Sequence, residues 1–306
     1  FRLRFNQKNH TVSNQKIFQL LRHGASLRAI SRDFNCSEHL VRKRCKKMFR
    51  QGLLRHSQLL ESLTIDEGLV LDGLQNFAYS QYQPNNINQL IGKESLFMYD
   101  WNYSPLNRGG RMSERQKLRK ADLEAMDGKF DPKAIRTDVG RLLKRTMKRV
   151  GKDKHLTVFS DEHFQYRRAI KEDLKKLKIH HMTTPSTDYR CYTNNLFAVN
   201  HADLLTRQHI AAFRRETIAF AKTPCAMVER YGLFMVWKNY LRPSFVKAHK
   251  DDELAHTHSP GMKLKLCKNL WSFKNFYDYR RQPTQMQLNE DLQKFYDYNL
   301  PLTRII

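Results

Sequence analysis

Apolar residues recur at helical spacing in three short runs near the start of the chain. These are Ile17, Leu20 and Leu21, then Leu27, Ile30 and Phe34, then Leu40, Val41 and Cys45. Gly24 ends the first run, Ser26 and Ser37 stand where helix N-caps are expected, and Asn35-Cys36 supplies a tight turn. A polar connector over residues 51–64 precedes a change of period. Residues 69–77, 87–91 and 96–101 read as strands of an antiparallel meander, with a turn at Gly92-Lys93. Residues 108–154 read as helical, with Pro132 opening a second helix there. A short apolar strand over 155–160 ends at Asp161, and a helix over 164–177 leads to a strand over 179–184. A long helix is expected from about Asn200 to Ala221. Residues 227–241 are apolar and aromatic at helical spacing and should pack on the core, and a polar stretch follows, interrupted by Pro260, Pro283 and Pro301.

Composition narrows the function. With 306 residues, 40% hydrophobic content and 18 Phe, the chain can bury a real core, so disorder is not its main state. No run of eighteen apolar residues occurs, which argues against a membrane span. The five cysteines include no C-x-x-C pair and read as reduced thiols, without a disulfide framework or zinc site. The net charge is +25, and most of it sits in two blocks. Residues 1–58 hold 14 Lys/Arg against Asp33 and Glu38, and residues 108–154 hold 16 against 7 acids. Concentrated basicity points to a polyanion, with double-stranded DNA the default partner. Three short helices with a basic third one predict a helix-turn-helix, although a small helical domain that binds protein would share the spacing. Base contacts are expected from Ser37, Glu38, His39 and Arg42, and backbone contacts from Lys43, Arg44, Lys46 and Lys47.

Three meandering strands followed by helix-strand-helix-strand-helix is the order of a ribonuclease H-like fold. The expected class is therefore α/β, a mixed five-stranded sheet with flanking helices, preceded by an all-α domain. The expected boundaries are 1–60 for the helix-turn-helix, 61–245 for the catalytic domain with its basic insertion 108–154, and 246–306 for a C-terminal tail. That fold carries carboxylates on its first strand, at the end of its fourth, and on a late helix. Asp72 and Asp161 fill the first two places, although Asp161 alone could be an ordinary helix cap. Acids are needed there because two Mg²⁺ ions require hard oxygen ligands. Asp66 and Glu67 read as solvated loop acids, Asp100 as structural and His163 as a helix-start residue; neither His180-His181 nor the His256, His258 pair reads as a metal site.

The chain resembles bacterial insertion-sequence transposases of the DDE type. The resemblance rests on Leu71-Asp72-Gly73-Leu74, Ser80-Gln81-Tyr82-Gln83-Pro84, Arg108-Gly109-Gly110-Arg111-Met112, Phe159-Ser160-Asp161 with Tyr166, and the stretch 199–240. Relatives often carry a zinc ribbon ahead of the helix-turn-helix, and the absence of its cysteines fits a chain truncated at Phe1. The resemblance implies a third acid in the first turn of the last core helix and a basic residue two turns on. Asn200 stands in that first slot, so Asp203 is taken as the third ligand, Asn200 as a neutral helper and Arg207 as the basic residue. Glu216 would lie on another face of a straight helix, some 20 Å further along at about 1.5 Å per residue. The implied activity is Mg²⁺-dependent DNA cleavage and strand transfer at element ends, with Mn²⁺ substituting. A homodimer or higher oligomer on DNA, in a bacterial cytoplasm and associated with the nucleoid, is implied as well. The tail would touch DNA or a second subunit, or be a structural appendage. Asn200 keeps open the alternative of a degenerate transposase that regulates by binding DNA. A serine or tyrosine recombinase has no supporting constellation.

Overall fold

The computed structural model describes residues 12–214, 218–246, 252–280 and 282–301. Helices α1 (Asn14–Arg22), α2 (Leu27–Asp33) and α3 (Glu38–Leu60) begin at Ser13, Ser26 and Ser37, whose hydroxyls accept from Lys16, Ala29 and Leu40 N–H groups. Gly24 and Asn35 take positive φ of 83° and 44°, the left-handed turns that separate the helices. Ile17, Leu21, Leu27, Ile30, Val41 and Cys45 point inward together, as the spacing predicts.

Helix α3 departs from expectation after Met48. Where a polar connector was expected over 51–64, the helix continues to Leu60 and buries Gly52, Leu53, Leu54 and His56. This half of α3 packs on α8 (Pro224–Val236), where a Cβ at Gly232 would collide with the Phe49 ring. The two helices need that missing side chain to approach so closely. Gly232→Ala should therefore destabilise the protein by about 1–3 kcal/mol, the scale of overpacking, measured as a lower denaturation midpoint at unchanged m. An unchanged midpoint would mean that the helices separate at little cost.

The sheet is built from β1 (Leu69–Phe77), β2 (Pro84–Gly92) and β3 (Met98–Pro105) as an antiparallel meander. Helices α4 (Glu114–Asp127) and α5 (Ala134–Met147) intervene before β4 (Leu156–Ser160), which runs parallel to β1. Helix α6 (Phe164–Arg168) runs on through a π-helical turn, Ala169–Asp173, and ends there, short of residue 177. Strand β5 (Ile179–Thr183) then pairs parallel to β4. The order β3-β2-β1-β4-β5 makes an α/β protein with a mixed five-stranded sheet, compatible with the expected core.

Helix α7 is Phe197–His209, shorter than the expected helix from Asn200 to Ala221. The chain turns extended at Ile210 and makes a single 3₁₀ turn, Ala211–Phe213. Arg207 Nη1 donates to the Phe213 carbonyl (3.1 Å) and His209 Nδ1 lies 3.0 Å from the Arg22 carbonyl, which fixes this end off the helical path. Glu216 falls outside the described residues, and so do Arg215 and Thr217. A π-helical turn, Trp237–Leu241, extends α8. The rest of the described chain forms α9 (Glu253–Thr257), α10 (Pro260–Lys263), α11 (Phe273–Asp278) and α12 (Glu290–Asp297).

The hydrophobic core runs unbroken from Val12 to Leu300, across both expected boundaries. Phe295 of α12 stacks on Trp101 of β3 (centroids 4.5 Å apart, 19°), and Phe276 of α11 packs on Tyr240 (5.2 Å). These parts of the C-terminal stretch thus belong to the packed core. Among the described residues no helix is long and apolar enough to cross a membrane.

Candidate functional site

The sheet register sorts the polar side chains onto two faces. Asp72 pairs across with Gln89, and Gln89 with Trp101, so these three share one face. Asn86, Asn88, Asn102, Ser104 and Asp100 occupy the other, under α5. Helix α7 crosses the Asp72 face, in contact with β1 and β2.

Asp72 is held by a strand whose Val70, Leu71 and Leu74 are fully buried. Its Oδ1 accepts the Gly73 N–H at 2.7 Å. Asp161 follows Ser160, the last residue of β4, and its Oδ1 accepts the His163 N–H at 3.0 Å. His163 itself caps α6, accepting from the Gln165 N–H, as the helix-start reading expected. Asp203 of α7 accepts from Gln89 Nε2 at 2.5 Å, and Tyr231 Oη donates to Gln89 Oε1 at 2.5 Å. Gln89 therefore orients Asp203 while standing directly across from Asp72. Asn200 and Arg207 lie on the Asp203 side of α7, at i−3 and i+4.

Electrostatics tie the three acids together. The Asp72 carboxyl is pushed up to about 7, chiefly by burial, then by the charge of Asp203 and, more weakly, of Asp161; the Gly73 N–H and Arg190 oppose this. Burial likewise raises Asp203 to about 6, against the Gln89 hydrogen bond and the charge of Arg207. The buried Tyr166 phenol is raised by burial and then by Asp72, Asp161 and Asp203. Asp72, Asp161 and Asp203 offer hard-oxygen donors of the kind a divalent cation takes. The spacing is looser than the expected cage. Among the described residues no three His, Cys, Asp or Glu side chains converge closely enough to hold one ion. The His180-His181 and His256, His258 pairs accordingly form no such group either.

Neighbouring acids divide. Asp100 is structural as expected, paired with Arg145 on the opposite face. Asp66 is exposed and pairs with Lys154 at 2.6 Å. Glu67 is not the solvated loop acid expected. It accepts from the Glu94 and Ser95 N–H groups (2.9 Å each) and from Tyr99 Oη (2.7 Å), and so closes the β2–β3 turn. Sequence reasoning also missed Gln89. Its signal was legible: the run Asn85-Asn86-Ile87-Asn88-Gln89 is too polar for a central strand unless those groups are used.

On α3, Ser37, His39, Arg42, Lys43 and Lys47 are exposed. Arg42 pairs with Glu38 at 2.6 Å, and Glu38 also holds Arg28 at 3.3 Å. Two of the expected backbone contacts are engaged within the fold. Arg44 donates to the Val12 carbonyl, and Lys46 Nζ sits 4.0 Å from the centre of the Tyr298 ring. Along α5, Lys133, Lys144 and Lys148 are exposed, and Lys133 and Lys144 border a groove of about 580 Å³ with Thr137 and Gly140.

Compared with models of known protein families, the chain matches none. No curated protein matches it either.

Proposed function

We propose that the protein is a DDE-type DNA transposase, with a ribonuclease H-like catalytic core behind a helix-turn-helix formed by α1–α3. One observation carries the reading: Gln89 stands across from Asp72 in the sheet and donates to Asp203 of α7 at 2.5 Å, while Asp161 follows Ser160, the β4 residue in register with Leu71 beside Asp72. Burial and the charges of Asp203 and Asp161 disfavour the ionised Asp72 carboxylate, a cost that a bound cation would offset. In this reading Asp72, Asp161 and Asp203 hold Mg²⁺, with Mn²⁺ substituting. When bound, the ions would supply activation of an attacking oxygen and stabilisation of the departing one. Gln89 fixes the Asp203 carboxylate, Tyr231 fixes Gln89, and Arg207 offers positive charge beside them. Water opens a phosphodiester at an element end, and the freed 3′-hydroxyl then displaces a 3′-oxygen in target DNA. One phosphodiester is exchanged for another, without a covalent protein intermediate. Two ends processed together call for a homodimer or higher oligomer, working on the nucleoid of a bacterial cytoplasm.

The division of labour on α3 is testable. Lys43→Ala and Lys47→Ala should each weaken cognate and random duplex alike and lower the salt slope by about 1. Arg42→Ala should change sequence preference, and Lys46→Ala should act on stability through Tyr298. Equal binding losses for Lys46→Ala and Lys43→Ala would contradict this assignment.

The test of the activity uses labelled duplexes bearing the ends of the DNA segment that encodes the chain, with Mg²⁺, Mn²⁺ or chelator. Metal-dependent release of 3′-hydroxyl ends supports the transposase. A second reading, a DNA-binding regulator without catalysis, is favoured by one fact: the carboxylates do not close into a three-ligand group. Tight, specific binding with no cleavage in either metal would establish that reading instead.

A further inference from the structure

Two aromatic rings beside the acids take no part in holding them. Phe164 opens α6 three positions past Asp161 and is 51% exposed, while Tyr189, in the loop from β5 to α7, is 85% exposed. The same chain buries Trp101, Tyr231 and Phe213 almost completely, and Tyr192 of the same β5–α7 loop is also bare, at 56% exposed. Both lie in segments that carry or flank the acids. The β5–α7 loop leaves at Thr184, whose N–H donates to the Ser160 carbonyl (2.9 Å), next to Asp161. It returns into the helix that carries Asp203. Arg190 is adjacent to Tyr189 in this loop. The Arg168 guanidinium lies 5.5 Å from the centre of the Phe164 ring, and His163 stacks on that ring at 5.3 Å and 15°.

Exposed π-faces interleaved with guanidinium groups match one chemistry closely. Unpaired nucleotides offer a free base face and a phosphate one bond series away, whereas an intact duplex hides its base faces in its own stack. A purely apolar protein partner would leave Arg190 unanswered, whereas Arg168 also pairs with Glu172 at 3.9 Å. Taking the acid site as assigned above, we propose that Phe164 and Tyr189 form a stacking platform for unpaired nucleotides. The site then takes splayed or single-stranded DNA ends in preference to closed duplex.

The test is read without metal, on the full chain. Duplexes ending either blunt or in three unpaired nucleotides, with 2-aminopurine in the end, report affinity and stacking together. The wild-type protein should bind the unpaired end about tenfold more tightly than the blunt one, within the range for stacking on one or two rings, and should quench the fluorophore. The Phe164→Leu/Tyr189→Leu double variant should reduce that ratio to about twofold or less, while Tyr189→Trp should retain both ratio and quench. Equal wild-type affinity for the two ends overturns the proposal, and so does an unchanged ratio in the double variant. Self-association through these rings with no preference among DNA ends overturns it too, in favour of a protein interface. Because no cleavage is read, an end preference in a protein that never cuts DNA supports the platform and counts only against the nuclease assignment.

Discussion

Asp72→Asn is expected to lower strand cleavage by about 10³-fold or more, the scale on which transition-state charge stabilisation acts, while making the metal-free protein more stable at pH 8. Both effects follow from one cause. Burial and the charges of Asp203 and Asp161 raise the folded Asp72 carboxyl to about 7, whereas in the unfolded chain it titrates near the ordinary value of about 3.9. Between those values the folded state binds the extra proton, so the stability this group contributes is full below about 4 and is lost as pH rises through about 7. Asp203, raised to about 6, acts in the same direction. Asparagine keeps the shape and removes the charge, so the loss should disappear. At pH 8 the gain should be about 2–4 kcal/mol, from about 1.4 kcal/mol per pKa unit discounted for partial exposure. Mn²⁺ should stabilise the wild-type protein increasingly from pH 5.5 to 8, because binding displaces protons, and should leave Asp72→Asn nearly unmoved. Melting curves with and without Mn²⁺ across that range check it. A variant that still cleaves, or that melts lower at pH 8 with an undiminished Mn²⁺ response, would remove Asp72 from the site.

What the sequence reveals about this molecule follows the range of the forces involved. Strand β1 is legible to the residue because alternation and β-propensity are local, and the caps Ser26 and Ser37 act within three residues. The positions read for Asp72, within β1, and for Asp161, directly after β4, are local in the same way. The inward phase of Asp203 relative to Asn200 and Arg207 also holds, since all three lie within α7. Burial imposed from a distance was not legible. Residues 51–60 look polar along the chain, yet α8 covers one face of them, with Gly52 close against Val236 and Gly232 against Phe49. Glu67 finds its partners at Ser95 and Tyr99, about 30 residues away, so local reading leaves it in solvent. The end of α7 depends on Arg207 and His209 reaching carbonyls that no helical period encodes.

Arg145→Ala should be among the most damaging single substitutions for stability, and for reasons equally remote in sequence. Arg145 lies almost wholly buried on the α5 side of the sheet, donating to Asp100 at 2.5 and 3.0 Å and to the Trp101 carbonyl at 3.1 Å. It also donates to Asp291 of α12, 146 residues away, which Arg141 pairs with at 2.8 Å. Burial alone would lower the Arg145 guanidinium and raise the Asp291 carboxyl, but the opposite charges prevail and shift both the other way. Removing Arg145 leaves the buried Asp100 carboxylate without its cation and Asp291 with Arg141 alone, a loss of about 3–5 kcal/mol. Because Asp291 precedes Phe295 on α12, the Phe295–Trp101 stack should loosen as well, exposing the face of β3 that Trp101 shares with Gln89 of β2. The pH dependence separates this from simple loss of packing. Asp291 is held below its ordinary value, so its contribution is present above about 3.9 and fades as pH falls through its folded value. That acid-side slope should shrink in Arg145→Ala, leaving only the part that Arg141 sustains. An Asp100→Asn/Arg145→Met/Asp291→Asn triple variant should recover most of the loss, since a neutral, shape-filling set needs no counter-charge. A fall of less than about 1 kcal/mol in Arg145→Ala would instead mean that water already screens the carboxylates, and that α12 is held to the sheet by Phe295 alone.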